Sequence, residues 1–489
     1  MSKFNIEENL FSYQAEDVIK MLEPGGFLNC SEMGTGKTPQ AIAVVEKGGF
    51  NIPLIVCPNS LRLEWKRQIE EWTEEKVAVS TSDTYTRMKP IIDSLIDGKK
   101  YRVVNYEVFW SKDNLELLNQ IPFDIVIFDE CHKLRNPEIA KIKKVVKGVW
   151  EFMEHHPNTK AICMSGSPIM NYPNDLYVPL SIVKPNKWPR NKEHMRYFIN
   201  RYSFVAQGRY GVYTYGADSG MLKYLKADIE PFLLRRTKKE ALPYLPDKYY
   251  RRIELEMPSE QRKLYEKMEN ELSILLDSGE PLHSASVIAC LMRLRQLNLD
   301  PRILGVSSQA AKTDFIEDLM EEMEGTDQKV VIFSTFEKYI RLLEMLLQKY
   351  NPVVVTGTKT PLERQQAVKA FQENPEVKVF LGTIQSGGEG ITLTASNTVV
   401  LMDRWWNEPT NQQAIDRTHR IGQKNAVEVI YPIIKDSVDE TLDEVLQRKS
   451  EASEGFLQES QVRNIVIEAR GLSPKFRRYE PEKPFMEVV

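Results

Sequence analysis

The residues best suited to chemistry in this sequence form a glycine-rich segment, residues 31–38, with the sequence SEMGTGKT. It follows a short apolar run and precedes a helical pattern, which is the context of a phosphate-binding loop. Gly34 and Gly36 would let backbone N–H groups curl around phosphate oxygens, and the start of a helix adds partial positive charge. Lys37 would neutralise the β and γ phosphates, and the Thr38 hydroxyl would bind Mg²⁺. The alternative is an ordinary glycine turn before a helix.

A second segment, residues 125–132 (IVIFDECH), is an apolar run that ends in two acids. Asp129 would lie at the carboxyl end of a strand, where parallel sheets bind ligands, and would hold Mg²⁺ through water. Glu130 would orient and deprotonate the attacking water. Alone, this pattern is weak evidence for a nucleotide-binding site, but together with a phosphate loop on the same sheet it is strong evidence. His132 is either a packed structural histidine or a sensor of the γ-phosphate.

Phosphoryl transfer also needs positive charge at the γ-phosphate in the transition state. Residues 413–423 (QAIDRTHRIGQ) offer it. On a helix, Gln413, Arg417 and Arg420 would recur at spacings of four and three and would therefore share one face. We expect the two arginines to act as fingers that reach across a cleft towards the nucleotide. A solvated basic face is the alternative.

Short apolar runs alternate with helical patterns in two stretches of the chain. Predicted strands of the first stretch are residues 26–30, 53–56, 102–105, 125–128 and 161–164. Those of the second are residues 330–334, 353–356, 379–382, 399–402 and 427–431. Predicted helices include residues 61–72, 137–149, 363–371 and 412–420. Near-continuous apolar strands between helices indicate parallel sheets covered on both faces, so we expect two α/β lobes.

The pattern also predicts domain boundaries. Residues 1–170 would form the first lobe, which carries the phosphate loop, and residues 311–455 the second lobe, which carries the arginines. Residues 171–310 are rich in Tyr, Arg and Pro and then helical at 259–299, so we expect helical insertions and a linker between the lobes. Residues 456–489 would form a C-terminal extension.

Composition narrows the function classes. The chain has no run of about 18 apolar residues and no leader-like start, so we expect no membrane partner. Its five cysteines lack zinc-ligand spacing, which predicts free thiols and a cytoplasmic location. The net charge of −4 does not by itself indicate nucleic acid, so any polyanion site must arise from local clustering.

The motifs together resemble those of the Swi/Snf-like family of superfamily-two helicase-related ATPases. The matching segments are residues 11–14 (FSYQ), 31–40 (SEMGTGKTPQ), 55–65 (IVCPNSLRLEW), 104–107 (VNYE), 129–136 (DECHKLRN), 165–171 (SGSPIMN), 382–393 (GTIQSGGEGITL) and 413–423. Cys131 stands where the DEAH box of this family has alanine, and no departure removes a catalytic group. Residues 202–220 resemble the annealing-helicase branch.

This resemblance implies two RecA-like P-loop lobes that bind ATP and Mg²⁺ between them, with Gln14 reading adenine. The implied nucleotide-binding residues are Gln14, Gly34, Thr35, Gly36, Lys37, Thr38, Gly388 and Glu389. The implied catalytic residues are Lys37, Asp129, Glu130, Gln413, Arg417 and Arg420, and Thr38 and Asp129 would bind the metal. The implied nucleic-acid contacts are Asn59, Ser60, Asn105, Tyr106, Thr383 and Ser386.

The resemblance also implies a DNA-dependent ATP hydrolase that moves on or remodels double-stranded DNA. Because such a partner is contacted through its phosphate backbone, we expect low sequence specificity, and RNA is the less favoured partner. Two alternatives stay open: a strand-separating DNA or RNA helicase, and a nucleotide-gated nucleic-acid-binding scaffold without turnover. Protein partners cannot be inferred from the sequence.

Overall fold

A computed structural model describes residues 9–81, 86–135, 140–166, 173–208, 211–217, 219–277, 284–387, 391–406 and 408–452. Gly388, Glu389, most of the 165–171 motif, Asn136 and the predicted C-terminal extension, residues 456–489, lie outside these ranges. No helix in these ranges is both long and apolar enough to span a bilayer.

The strands are β1 Phe27–Asn29, β2 Pro53–Cys57, β3 Val77–Val79, β4 Tyr101–Asn105, β5 Ile125–Phe128, β6 Lys160–Met164, β7 Ser203–Gly208, β8 Gly211–Ala217, β9 Leu233–Leu234, β10 Lys248–Leu255, β11 Val330–Ser334, β12 Val353–Val355, β13 Val379–Thr383, β14 Thr398–Leu401 and β15 Val427–Ile434.

The α-helices are α1 Ser12–Leu22, α2 Lys37–Lys47, α3 Arg62–Trp72, α4 Lys89–Asp93, α5 Lys112–Asn119, α6 Ala140–His155, α7 Tyr177–Val183, α8 Lys192–Tyr202, α9 Ser219–Ile229, α10 Lys238–Ala241, α11 Ser259–Asp277, α12 Ser284–Leu299, α13 Ala311–Glu322, α14 Glu337–Leu346, α15 Pro361–Glu373, α16 Ile384–Gly387, α17 Glu408–Ile415 and α18 Val438–Ala452.

The first sheet has seven strands in the order β3-β4-β2-β5-β6-β1-β9. Its neighbouring strands run parallel, for example with Val56 beside Phe128 in β2 and β5. Both of these central strands are buried along their whole length because they are continuous apolar runs. Parallel strands end at one edge of the sheet, so the segments after β1 and β5, which carry the glycine-rich loop and the two acids, meet there.

The second sheet has six strands in the order β10-β15-β14-β11-β13-β12. The pairings of β11, β12, β13, β14 and β15 are parallel. Helix α15 packs with this sheet and begins at a well-capped N-terminus. Thr360 and Glu363 form a capping box, and Pro361 lies in the first turn. The predicted α/β class with parallel sheets is confirmed, and each of the ten predicted strands is present.

Residues 171–310 contain helices α7 to α12, as the predicted helical insertions require, and also strands that the sequence did not predict. They contain the antiparallel hairpin β7–β8 and the edge strands β9 and β10, one for each large sheet. β9 has only two residues, and β10 (KYYRRIEL) is mostly exposed, so neither has the apolar run that marks a buried strand. Strand β3 was not predicted either.

The described residues belong to two compact units. One lies within Met1–Arg251, Gly325–Leu401 and Glu408–Tyr431, and the other within Arg252–Glu324, Met402–Asn407 and Pro432–Val489. In the second unit, apolar residues of α11 and α12, such as Tyr265 and Leu294, form a core with Ile434 and Val438. The domain boundaries that the sequence suggests stay a prediction.

Buried charges in the second unit are paired. Arg295 donates to Asp403 at 2.8 Å, and Lys312 lies 2.6 Å from Asp439. The guanidinium of Arg295 also lies 4.4 Å from the ring centroid of Trp406. The indole of Trp406 therefore stacks against a buried cation of its own chain.

Candidate nucleotide-binding site

The glycine-rich loop has the backbone of a phosphate cradle. Gly34 and Gly36 have φ angles of 80° and 75°, in the left-handed region that favours glycine. Helix α2 begins at Lys37, so its free N–H groups face the loop. Lys37 Nζ donates to the carbonyls of Ser31 at 2.7 Å and Glu32 at 2.9 Å. The lysine is thus held within the loop that it would share with a phosphate.

Gln14 contacts the same loop from α1. Its amide nitrogen lies 3.3 Å from the Gly36 carbonyl oxygen, and its amide oxygen accepts from the Phe11 N–H at 2.9 Å. The Thr35 hydroxyl donates to the Glu32 carbonyl at 2.8 Å. Gln14 and Thr35 are both buried, and these bonds brace the loop. The role of Gln14 in reading adenine stays a prediction.

The two acids follow β5. Trp65 Nε1 donates to Asp129 Oδ2 at 2.8 Å, and the Tyr106 hydroxyl donates to the Asp129 carbonyl at 2.7 Å. Glu130 has a φ angle of 49°, a backbone conformation that residues other than glycine rarely adopt. Its N–H donates to Asp129 Oδ1 at 2.9 Å. Such local strain persists where surrounding contacts fix a residue, and it concentrates at functional sites.

Burial and neighbouring charges separate the pKa values of the two acids. Burial raises the pKa of Asp129 to about 7, and the adjacent Glu130 adds to this rise. Burial would also raise the pKa of Glu130, but hydrogen bonding and charge from His132 outweigh it and lower that pKa to about 2. Burial lowers the pKa of Lys37, against the raising effect of Glu130 and Asp129. Glu130 is therefore ionised at neutral pH, whereas the ionised form of Asp129 needs a nearby positive charge to stabilise it.

His132 lies between the acids and β6. Its Nδ1 is 3.1 Å from Glu130 Oε2 and 3.1 Å from Ser165 Oγ. Both interpretations of His132 remain open, because it is buried and packed yet directly contacts a predicted catalytic group.

The loop and the acids open onto a cavity of about 370 Å³. Its lining includes Gly34, Gly36, Lys37, Thr38, Asp129 and Glu130 from the first sheet, and Arg417 and Arg420 from the second stretch. The sequence indicated no role for the other lining residues, which are Met33, Pro39, Leu61, Glu64, Trp65, Arg67, Gln68, Glu71, Trp72, Thr392 and Ile421. Trp65 could have been noticed as the buried end of the 55–65 motif, but its bond to Asp129 depends on tertiary packing.

The helix predicted to carry the arginines is wrong at its C-terminal end. Helix α17 ends at Ile415, so Gln413, Arg417 and Arg420 do not share a helical face. The carbonyl of Arg417 accepts from Leu393 N–H, and that of His419 accepts from Lys238 Nζ. These carbonyls serve tertiary contacts instead of the next helical turn. Both arginines nevertheless line the cavity, and Gln413 is not among its lining residues.

Burial also shapes the predicted arginines. Burial lowers the pKa of Arg420 to about 10, and the nearby Arg417 adds to that shift. One guanidinium nitrogen of Arg420 donates to the Ile391 carbonyl at 3.0 Å. Glu64 partly offsets these two effects on the pKa of Arg420, and an anion bound beside Arg420 would likewise favour its charged form.

Four of the six predicted nucleic-acid contacts are buried: Asn105, Tyr106, Thr383 and Ser386. Asn105 donates to Glu107 at 2.6 Å, and Thr383 and Ser386 bond to one another through their hydroxyls. In this structure these four residues lie at or just after strand ends, and their role as nucleic-acid contacts stays a prediction. Asn59 is exposed and Ser60 is partly exposed, so both stay candidate contacts.

Comparison with known proteins agrees with the motifs. The SNF2-related domain profile matches residues 17–303, more than half of the chain, and the helicase conserved C-terminal domain profile matches residues 311–422. The chain belongs to the SNF2-related family.

Among its relatives is an uncharacterized ATP-dependent helicase of Mycoplasma genitalium, 28% identical over 460 residues, which cover 91% of this chain and 42% of that protein. Another is the human DNA annealing helicase and endonuclease ZRANB3, 26% identical over 469 residues, which cover 92% of this chain and 40% of that protein. The chain thus spans about two fifths of the length of these curated relatives. Among solved structures, the Sulfolobus solfataricus SWI2/SNF2 ATPase core in complex with dsDNA has a TM-score of 0.42 and 24% identity, with coverage of 95% of this chain and 96% of that one.

Proposed function

We propose that this chain is a DNA-dependent ATPase that converts ATP hydrolysis into movement on, or remodelling of, double-stranded DNA. The observation that carries the proposal is the single cavity lined by Lys37, Asp129 and Glu130 on one side and by Arg417 and Arg420 on the other. Such a set supplies a phosphate cradle, a base and two cations for the charge that develops in phosphoryl transfer.

Each residue would take one task. The loop N–H groups and Lys37 would bind the β and γ phosphates. Glu130, ionised at neutral pH, would orient a water and take its proton. Arg417 and Arg420 would stabilise negative charge on the transferred group. Because both sides of the cavity would contact the same phosphate, its release would loosen that contact, and hydrolysis could in this way drive a conformational cycle.

Mg²⁺ fits the residues at the loop. The Thr38 hydroxyl and the Asp129 carboxylate line the same cavity, and a cation beside Asp129 would favour its ionised form. The described residues hold no group of three or more His, Cys, Asp or Glu that could bind a metal alone. This agrees with Mg²⁺, which is usually held by one or two protein ligands together with phosphates and waters. Bound there, Mg²⁺ would neutralise phosphate charge.

Double-stranded DNA is the partner that family membership favours. The human relative is named a DNA annealing helicase, and another relative is the ATPase of the yeast ISWI chromatin-remodeling complex ISW1. Contacts through backbone phosphates would give little sequence preference and strong salt dependence. Asn59 and Ser60 are the predicted contact residues that remain accessible in the structure.

The test is the ATPase rate of the full chain with single-stranded DNA, duplex DNA, forked DNA and RNA, each across a salt series. We expect duplex DNA to stimulate turnover most, and the stimulation to fade as salt rises. Glu130→Gln should lower the stimulated rate by at least about 100-fold while ATP still binds. Glu116→Gln is the matched control, because Glu116 is exposed on α5 and does not line the cavity.

Two outcomes would overturn the proposal. An ATPase rate that no nucleic acid changes would contradict the proposed motor function. Wild-type turnover in Glu130→Gln would contradict the proposed catalytic site. Products with separated strands and a defined single-strand polarity would instead favour an unwinding helicase.

A further inference from the structure

The two large sheets are joined by residues 235–247, here called the crossing segment. It begins after β9, the edge strand of the first sheet, and ends at β10, the edge strand of the second. The basic residues Arg235, Arg236 and Lys238 of this segment could be taken for a DNA-binding cluster. The contacts of Arg236 and Lys238 indicate a different role.

Arg236 fastens the crossing segment to the first sheet and its loop. Its guanidinium donates twice to Asp17, at 2.8 and 3.0 Å, and Asp17 has no exposed surface. Asp17 also accepts from Gln40 of α2 at 3.0 Å. The backbone of Arg236 bonds to the phosphate loop itself, donating to Ser31 Oγ and accepting from Glu32 N–H at 2.9 Å. This end of the segment therefore cannot move without disturbing the loop.

Lys238 fastens the crossing segment to the turn that carries the arginines. Its Nζ lies 2.7 Å from Asp416 Oδ1 and 2.8 Å from the His419 carbonyl oxygen, and the residue is only 7% exposed. Asp416 directly precedes Arg417, and His419 directly precedes Arg420. One ammonium group thus holds the backbone beside both predicted fingers.

Further contacts point the same way. His419 Nε2 donates to the Pro246 carbonyl at 2.7 Å, and Ile421 packs on an apolar cluster that contains Leu242. A Cβ built on Gly34 would lie 3.1 Å from Arg420 Cβ and 3.3 Å from Lys238 Cε. The loop, Lys238 and Arg420 therefore meet at one point.

We propose that Lys238 is a positioning residue that holds Arg417 and Arg420 in the phosphate cavity through its ion pair with Asp416. This inference rests on the proposed function, because it assigns a task only if the cavity hydrolyses ATP. Since Lys238 does not line the cavity, it would act on turnover through the arginines. A loss of placement by about 1 Å is enough to lower a rate about 100-fold.

The pKa values of Lys238 and Asp416 agree with a buried ion pair between them. Burial lowers the pKa of Lys238 to about 8, while Asp416 opposes this shift. Burial would raise the pKa of Asp416, but Lys238 and Lys248 outweigh it and lower that pKa. Both partners are thus ionised at neutral pH, and breaking one side leaves a buried charge without its main partner.

The experiment compares Lys238→Met with Lys239→Met, the exposed neighbour on the same short helix. We measure kcat and KM for ATP with duplex DNA, and the affinity for a fluorescent ATP analogue. Lys238→Met should lower kcat by about 10- to 100-fold and leave nucleotide affinity within about threefold, because the phosphate loop is intact. Lys239→Met should match the wild type.

A second measurement excludes a merely structural role. In a chain that already carries Arg417→Ala and Arg420→Ala, adding Lys238→Met should lower the residual rate by less than about twofold, since no arginine remains to be positioned. An equal, independent loss in that background overturns the inference. If Lys238→Met does not fold, Asp416→Asn removes the other half of the ion pair and should show the same kcat loss.

The two proposals fail in different ways. A wild-type chain without ATPase activity contradicts the proposed function. An active wild type whose rate is unchanged by Lys238→Met or Asp416→Asn contradicts only the positioning role.

Discussion

The two sides of the phosphate cavity are built in different ways. On the side of the first sheet, the functional groups stand at regular positions: Lys37 at the start of a helix, and Asp129 and Glu130 just after a strand. On the other side, Arg417 and Arg420 stand on an irregular turn after α17, held by contacts with residues far away in the sequence. The groups of the first side stand at a helix start and a strand end, whereas the arginines lie outside regular structure and depend on tertiary contacts alone.

This difference has a functional consequence. The crossing segment contacts both sides of the cavity. Through Lys238 it holds the turn that carries the arginines, whereas the phosphate loop is also held by its own helix and by Gln14. We therefore expect changes on the arginine side to impair turnover more than nucleotide binding. Changes to Lys37 or to the loop itself should impair both, whereas Glu130→Gln should spare nucleotide binding.

Among the variants that distinguish the two sides of the cavity, replacement of Arg420 should lower the ATPase rate most. Arg420→Ala removes a cation that matters most in the transition state, so kcat should fall by about 1,000-fold with nucleotide affinity nearly unchanged. The measurement is steady-state ATPase together with binding of a fluorescent ATP analogue. Arg293→Ala, at an exposed position of α12, is the control. A variant with full turnover would remove Arg420 from the mechanism.

Loss of the Trp65 hydrogen bond should have an intermediate effect. Trp65→Phe removes the donor to Asp129 while keeping an aromatic ring. Because this bond is worth about 1.5–3 kcal/mol with a charged acceptor, kcat should fall about 10- to 150-fold. Trp150→Phe is a matched control, because the indole of Trp150 donates to Ser181 at 2.9 Å away from the cavity. Equal losses of ATPase activity in both variants would show that Trp65 acts only through stability.

The sequence predicted the loop side well because its signals are local. The spacing of residues 31–38 and the apolar run before Asp129 each place a group relative to its own neighbours. The carboxyl edge of a parallel sheet then brings the two segments together. Ten of the thirteen strands of the two large sheets were predictable for the same reason, since buried parallel strands are near-continuous apolar runs.

The sequence failed where distant contacts decide the structure. It could not show that α17 ends at Ile415. Beyond that residue, the carbonyls of Arg417 and His419 accept hydrogen bonds from Leu393 and Lys238, which are distant in the sequence. It also could not show that Tyr106 and Ser386 are buried, since each hydroxyl bonds to a backbone carbonyl remote in the sequence. The burial of these motif residues therefore comes from the structure, and their role as DNA contacts stays a prediction.

The smallest effect should come from Ser386, a predicted DNA contact that is buried in the structure. Ser386→Ala should lower the free energy of unfolding by about 1 kcal/mol and leave duplex affinity within about twofold. Asn59→Ala, at an exposed predicted contact, should instead weaken duplex binding by a few-fold with little loss of stability. The measurements are chemical denaturation and DNA titration at fixed salt. Weakened DNA binding in Ser386→Ala without loss of stability would reverse this assignment.

The central claim is that one triphosphate contacts both sides of the cavity. The most direct test is a crystal structure of the chain with Mg²⁺, ADP and aluminium fluoride, which mimics the transferred phosphoryl group. We expect Lys37 Nζ and a guanidinium nitrogen of Arg417 or Arg420 within about 3 Å of the fluoride or phosphate oxygens. A nucleotide bound to Lys37 with both guanidinium groups turned away from it would contradict the account.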